Sequence, residues 1–182
     1  MARTLTINKG GGGTDYTPGW KELEISRAAY GEYNDAKYID IWFDGYPENV
    51  NTRVYAKVGK DGEEWAIGQV FRFANAGITG ALDGANGNVV IKMDDSAEQL
   101  KGKTVNAFFY KEGKYSRILK QFAPTVFTNA AEQFTEEDVQ YWKTKAHKYF
   151  TEYVEPKIDN TEDLGEDSET ISPTRMDSQM PY

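Results

Sequence analysis

Alternating side chains between residues 100 and 122 constrain the fold more than any other part of the chain. One side of the first predicted strand carries Val105, Ala107 and Phe109, and the other side carries Asn106, Phe108 and Tyr110. This two-residue period is typical of a β-strand. Gly113 allows the positive φ of a tight turn, after which residues 115–122 run back antiparallel. The stretch predicts a β-hairpin that closes a small barrel, and since both faces are apolar, both are expected to be covered.

Further strands and a short helix are predicted before the hairpin. The same alternation indicates strands over residues 20–29, 38–43, 52–58 and 89–93. Residues 63–76 favour a short amphipathic helix or a turn-rich segment, and the Gly-, Ala- and Asn-rich residues 74–88 favour a loop. We therefore expect a mainly β domain, a five- or six-stranded antiparallel barrel with a connecting helix.

A C-terminal helix is predicted over residues 135–154. Thr135 is a good N-cap, and Asp138 takes the acidic position of a capping box. Apolar residues then recur every three to four positions, at Val139, Trp142, Ala146, Tyr149, Phe150 and Tyr153. This stripe is expected to dock the helix on the barrel. Pro156 is expected to end the helix.

Glycine content and charge divide the chain into three parts. Four consecutive glycines at 10–13 predict that residues 1–19 form a flexible arm before the folded domain of residues 20–157. Residues 158–182 carry seven acidic side chains against Arg175, so this segment holds −6 of the net charge of −8. It contains few large apolar residues, which predicts a disordered acidic tail. The preceding chain carries only −2, and a nearly neutral body can still present a basic face.

The residue inventory argues against an enzyme. The chain has no cysteine and one histidine, His147, which excludes thiolate chemistry and multi-histidine metal sites. A P-loop is rejected because Lys9 precedes the glycines, and an EF-hand is rejected because Leu164 occupies its glycine position. We therefore expect neither a metal nor another cofactor. No apolar run approaches the roughly 20 residues of a membrane span, so we expect no membrane partner and a cytoplasmic location.

Exposed strand faces supply the candidate binding residues. Over residues 52–58, basic and aromatic side chains alternate with apolar ones and place Tyr55 between Arg53 and Lys57. A ring between two cations suits a single-stranded nucleic acid. Across the predicted strands, bases are expected to stack on Trp42, Tyr55, Tyr110 and Tyr115, and phosphates to contact Arg53, Lys57 and Arg117. The alternative is that the rings are barrel core and the charges an ordinary solvated face.

The order of four stretches resembles the oligonucleotide-binding (OB) barrel of single-stranded DNA-binding proteins, and more narrowly a phage-encoded member of that group. The stretches are Pro18–Trp20, Tyr38–Asn49, Phe71–Ile78 and Leu100–Phe127, within a resemblance that covers residues 20–153 and the tail. It implies an OB barrel and sequence-tolerant binding of single-stranded DNA. It also implies a role in phage DNA replication or recombination in the host cytoplasm.

The last three residues, Met180, Pro181 and Tyr182, follow the acidic tail with an apolar tip. Bacterial single-stranded DNA-binding proteins end in an acidic tail with an apolar-Pro-Phe tip that recruits replication and repair proteins, so the resemblance implies a docking role here. Ser178 and Gln179 separate the acids from the tip, which departs from that pattern. The alternative function is a β-rich protein-interaction or virion component that does not bind nucleic acid.

Overall fold

Nine strands and two α-helices are present in a computed structural model that describes residues 2–5 and 14–158. The strands are β1 (Gly19–Tyr33), β2 (Ala36–Phe43), β3 (Asn51–Tyr55), β4 (Ile78–Asp83), β5 (Val89–Met93), β6 (Thr104–Glu112), β7 (Tyr115–Ile118), β8 (Phe127–Thr128) and β9 (Gln133–Phe134). The helices are α1 (Ala66–Phe73) and α2 (Glu136–Tyr149). The prediction of a mainly β protein is confirmed.

A five-stranded antiparallel sheet in the order β3-β2-β1-β6-β7 forms the centre of the fold. The long strand β1 joins its two halves, because residues 19–24 pair with β6 and residues 25–33 pair with β2. The predicted hairpin is confirmed as β6 and β7, but its return strand ends at Ile118 instead of residue 122. In the described residues β3 and β7 are the two edges of this sheet, so closure into a barrel stays a prediction.

The main core lies between the inner face of this sheet and α1. The alternate residues of β2 and β6 on this face are almost fully buried, namely Ile39, Ile41, Phe43, Val105, Ala107 and Phe109. From α1, Val70 and Phe71 pack into the same cluster. Burying side chains of this size stabilises a fold by about 1.5–3 kcal/mol each. The alternation predicted for these strands therefore matches the division of their side chains between the core and the outer face.

Helix α2 covers the outer face of β6. Its last turn contributes Ala146, and the π-helical segment Phe150–Val154 that follows contributes Phe150, to a second cluster with Phe108 and Tyr110. The predicted capping box is confirmed, since the Thr135 backbone N–H donates to the Asp138 carboxylate at 2.8 Å. Both faces of β6 are therefore covered, as the hairpin sequence predicted.

Three further local predictions were wrong. Residues 78–83, expected in a loop, form β4 and pair with β5, because their apolar positions find a partner strand that local composition does not reveal. Strand β3 ends at Tyr55 instead of residue 58, where the chain turns toward α1. Helical conformation continues past Pro156 to Ile158. The π-helical turn before Pro156 shifts the hydrogen-bond pattern, which accommodates a residue without an N–H.

Candidate functional site

A groove of about 500 Å³ opens between the edge of β3, α1, residues 120–122 and α2, and we call it the lysine groove. Its lining is mostly aromatic and aliphatic, but three lysines give it a formal charge of +3. The aromatic and basic side chains that line it include Tyr55, Lys57, Trp65, Lys120, Trp142, Lys145 and Tyr149. Cations set in an apolar wall attract an anion that also has an apolar part.

Glu64 fixes the part of the groove that follows β3. Its carboxylate accepts hydrogen bonds from the backbone N–H groups of Lys57, at 2.8 Å, and of Ile67, at 2.9 and 3.0 Å. The bond to Ile67 satisfies an N–H in the first turn of α1, where a negative charge is also favoured by the helix dipole. The neighbouring Trp65 is held beside Lys57, whose Nζ lies 5.5 Å from the indole centroid.

Burial in this wall changes the chemistry of Lys57. Desolvation, and to a smaller extent the positive charge of Lys120, lower the pKa of Lys57 to about 8. The Lys120 ammonium lies 5.8 Å from the Tyr55 ring centroid, so the two lysines face the groove from the two edges of the sheet. An anion between them would offset both desolvation and repulsion.

Helix α2 supplies the opposite wall. The Trp142 ring packs 4.9 Å from the Phe73 ring of α1, which fixes it at the groove. One turn on, the Lys145 ammonium lies 5.0 Å from the Trp142 centroid. Burial raises the pKa of Tyr149 to about 12, so its hydroxyl stays protonated and neutral at physiological pH. This wall therefore pairs an ammonium with aromatic surface, as the β3 side does.

The outer face of β1, β2 and β3 carries a second aromatic and basic surface, which we call the sheet face and define as Arg27, Tyr38, Trp42 and Arg53. The Arg27 guanidinium carbon lies 3.5 Å from the Trp42 ring centroid. Glu48 holds both groups, because its carboxylate is 2.6 Å from Arg27 and its carbonyl accepts from Trp42 Nε1 at 3.0 Å. The guanidinium therefore covers one face of the indole.

A β-bulge places Arg27 on the sheet face. Ile25 pairs with Phe43 and Arg27 pairs with Trp42, so Ser26 is the extra residue on β1. Strict alternation from the buried Ile25 would have turned Arg27 inward. A bulge reverses this alternation and redirects the side chains that follow.

Arg53 repeats the same arrangement on β3. Its Nε and Nη2 donate to the two oxygens of Asp40 at 2.8 and 3.0 Å, and its guanidinium carbon lies 3.7 Å from the Tyr38 centroid. The hydrogen bonds to Asp40 raise the pKa of Arg53 further above its ordinary value. Asp40 itself is only 8% exposed. The Tyr38 ring lies 5.5 Å from that of Tyr55, so the sheet face is continuous with the lysine groove.

The seven binding residues predicted from sequence fall into three places. Tyr55 and Lys57 line the lysine groove, and Trp42 and Arg53 lie on the sheet face. Tyr110 packs against Phe150 at 5.1 Å under the π-helical segment. Tyr115 and Arg117 lie together on β7, where Tyr115 is 45% exposed, the Arg117 guanidinium carbon is 5.4 Å from the Tyr115 ring centroid and Arg117 Nε donates to Glu112 at 3.1 Å. The structure therefore brings the first four residues to two adjoining surfaces, pairs Tyr115 with Arg117 on β7, and places Tyr110 apart from both.

Sequence reasoning did not assign five residues that the structure places at these surfaces: Arg27, Trp65, Lys120, Trp142 and Lys145. Two of them carried a weak signal, because the helix that holds Trp142 and Lys145 combines an apolar stripe with basic residues beside it. The predicted docking residues Met180, Pro181 and Tyr182 lie outside the described residues, as does most of the acidic tail.

Within the described ranges, no group of three or more His, Cys, Asp or Glu side chains is placed to hold a metal ion. The helices there are also too short or too polar to span a bilayer. Aromatic rings with ammonium and guanidinium groups are what the two surfaces offer. These groups stack on planar rings and attract phosphate.

Comparison with known proteins gives no relative: no family model matches the chain, and neither a curated protein nor a solved structure is significantly similar to it. The resemblance to single-stranded DNA-binding proteins therefore stays a prediction from the sequence. The geometry of the lysine groove and of the sheet face is therefore the basis for proposing a function.

Proposed function

We propose that the protein binds single-stranded DNA without sequence preference. The observation that carries the proposal is the lysine groove, in which Lys57, Lys120 and Lys145 stand among tyrosine and tryptophan rings. Proteins that bind single strands combine a cationic groove for the backbone with aromatic surfaces on which bases stack, at about 1–3 kcal/mol per base. The combined free energy of several such stacks exceeds the conformational-entropy cost of ordering a flexible strand.

An unpaired strand fits this surface better than a duplex. The groove measures about 500 Å³, which is the size of a pocket for a small ligand. Bases in a duplex are stacked on one another and expose only their edges, so their faces cannot meet Trp65 or Trp142. The preference for DNA over RNA is taken from the sequence resemblance.

The connectivity of the strands supports the proposed OB barrel. Such a barrel has five antiparallel strands in a Greek-key arrangement, and the face of its second and third strands binds oligonucleotides. Here β2 and β3 carry most of the sheet face. Along the chain, α1 comes after β3 and before β6, and β6 pairs with the edge of β1 opposite β2. Closure would bring β3 and β7 together beside the lysine groove.

The acidic tail is proposed to have two roles, recruitment of partner proteins and competition with DNA. We propose that residues 158–182 recruit replication or recombination proteins through Met180, Pro181 and Tyr182, in a phage-infected host cytoplasm. A polyanionic tail also competes with DNA for basic surfaces. Deleting residues 158–182 should raise the affinity for single strands at low salt. Unchanged affinity would remove the competitive role.

Tryptophan fluorescence tests the binding function. The full chain is titrated with oligothymidylate and with a duplex of equal length, each at low and moderate salt. We expect quenching by the single strand that salt weakens, and little change with the duplex. The Trp142→Phe variant should lose part of this signal, whereas Trp20→Phe should keep it, because Trp20 packs against Phe108 at 5.3 Å and does not line the groove. Equal responses to the two DNAs would contradict the proposal.

A protein-interaction component without nucleic-acid binding is the second candidate. The observation that favours it is the ribbon of β4 and β5, on which Leu82, Val89 and Val90 are about half exposed. Clustered exposed apolar residues mark protein contacts more often than nucleic-acid contacts. This function predicts no length-dependent binding of oligonucleotides in the same titration.

A further inference from the structure

Two arginines on the sheet face share one construction. Each guanidinium lies at van der Waals distance over a ring of β2, at 3.5 Å for Arg27 on Trp42 and 3.7 Å for Arg53 on Tyr38. Each is also held by a carboxylate, Glu48 in the first case and Asp40 in the second. The two rings are four residues apart on β2 and point to the same side.

The carboxylates change what these arginines can bind. Asp40 accepts from two N–H groups of Arg53 and Glu48 from one of Arg27, and each carboxylate offsets part of the guanidinium charge, which weakens the attraction for phosphate. The ring covers one side of each guanidinium, and the side chains of Arg27 and Arg53 still expose 48% and 39% of their surface to solvent. Guanidinium planes stack on unpaired bases as aromatic rings do.

We propose that Arg27 and Arg53 are base-stacking platforms, and that neither of them is a phosphate ligand. Each ring supports the guanidinium from below and each carboxylate fixes its rotation, so the platform is ordered before the strand arrives. This inference rests on the proposed binding of single strands and divides that function between two surfaces. The sheet face takes bases, while the lysine groove, reached through Tyr38 and Tyr55, takes phosphates as well.

Lysine substitutions separate stacking from charge. Arg27→Lys and Arg53→Lys keep the positive charge and remove the planar group. Each variant is titrated with oligothymidylate and with an abasic oligonucleotide of the same length, over a range of salt concentrations. We expect each to bind oligothymidylate about fivefold or more weakly, the lower end for loss of one stacked base. Affinity for the abasic strand and the salt dependence should not change.

Lys145→Ala provides the contrast. It should weaken binding of both oligonucleotides alike and flatten the salt dependence, because an ammonium in the groove meets phosphate. Arg27 decides the test if Arg53→Lys fails to fold, since Arg27 and Glu48 are both exposed and form no part of the core.

Three outcomes overturn the inference while single-strand binding stands. In the first, the arginine variants lose the same affinity for the abasic oligonucleotide as for oligothymidylate. In the second, neither variant loses affinity for oligothymidylate. In the third, the unmodified protein binds the two oligonucleotides with equal affinity. If the unmodified protein binds neither oligonucleotide, the proposed function itself falls.

Discussion

Removing the three lysines of the groove should change the salt dependence of DNA binding by a calculable amount. If Lys57, Lys120 and Lys145 each meet one phosphate, the slope of log affinity against log salt concentration becomes shallower by about 0.7 per lysine. The triple alanine variant should therefore lose about two from the slope. Over a fourfold rise in salt, the unmodified protein should then lose about 20-fold more affinity than the variant.

The assay is a fluorescence titration with oligothymidylate at four or more salt concentrations. A matched variant replaces Lys37, Lys92 and Lys101, which are exposed and outside the groove lining, and so carries the same net charge as the groove variant. Its slope should stay close to that of the unmodified protein. If the matched variant flattens the slope as much as the groove variant does, overall charge drives binding and the assignment of phosphates to the groove is refuted.

Three further predictions concern stability and are measured by urea unfolding. Burial lowers the pKa of Lys57 from 10.5 to about 8 in the folded protein. Between pH 8 and 10.5 the unfolded chain therefore binds more protons than the folded protein, so the free energy of unfolding should rise with pH. The Lys57→Met variant should not show this rise. Thr135→Ala removes the acceptor of the capping box and should cost about 1 kcal/mol, and an unchanged free energy of unfolding would show that the cap is not needed. Gly77→Ala should cost about 1–3 kcal/mol or more, because φ is +66° and the new Cβ would collide with the Asp94 carbonyl; a neutral result would contradict that geometry.

The sequence predicted elements whose signals are local. Alternating side chains and a turn glycine predict the β6–β7 hairpin, and the Thr135 cap with Asp138 three residues later predicts α2. In both, the residues that decide the structure lie within a few positions of one another. By contrast, β4 depends on pairing with β5, and its composition of small residues and glycine is that of a loop.

The candidate site is harder to predict because its residues are distant in sequence. Lys57 follows β3, Lys120 follows β7 and Lys145 lies on α2, and only the packed fold brings them to one groove. A single lysine on a strand or helix is usually just a solvated charge. Tyr110 shows the opposite error, since an aromatic side chain on an outer strand face is a good candidate until the π-helical segment after α2 is known to cover it.

Arg27 shows why strict alternation fails at the sheet face. Counting by twos from the buried Leu23 and Ile25 assigns Arg27 to the core, where an unpaired charge would be costly. The bulge at Ser26 resolves this conflict by turning Arg27 outward, directly opposite Trp42. An arginine that breaks an inward apolar series is therefore itself a signal that the register changes there. Applied to β1, that rule predicts a register change near Arg27, whereas the partner of Arg27 follows only from the pairing of β1 with β2.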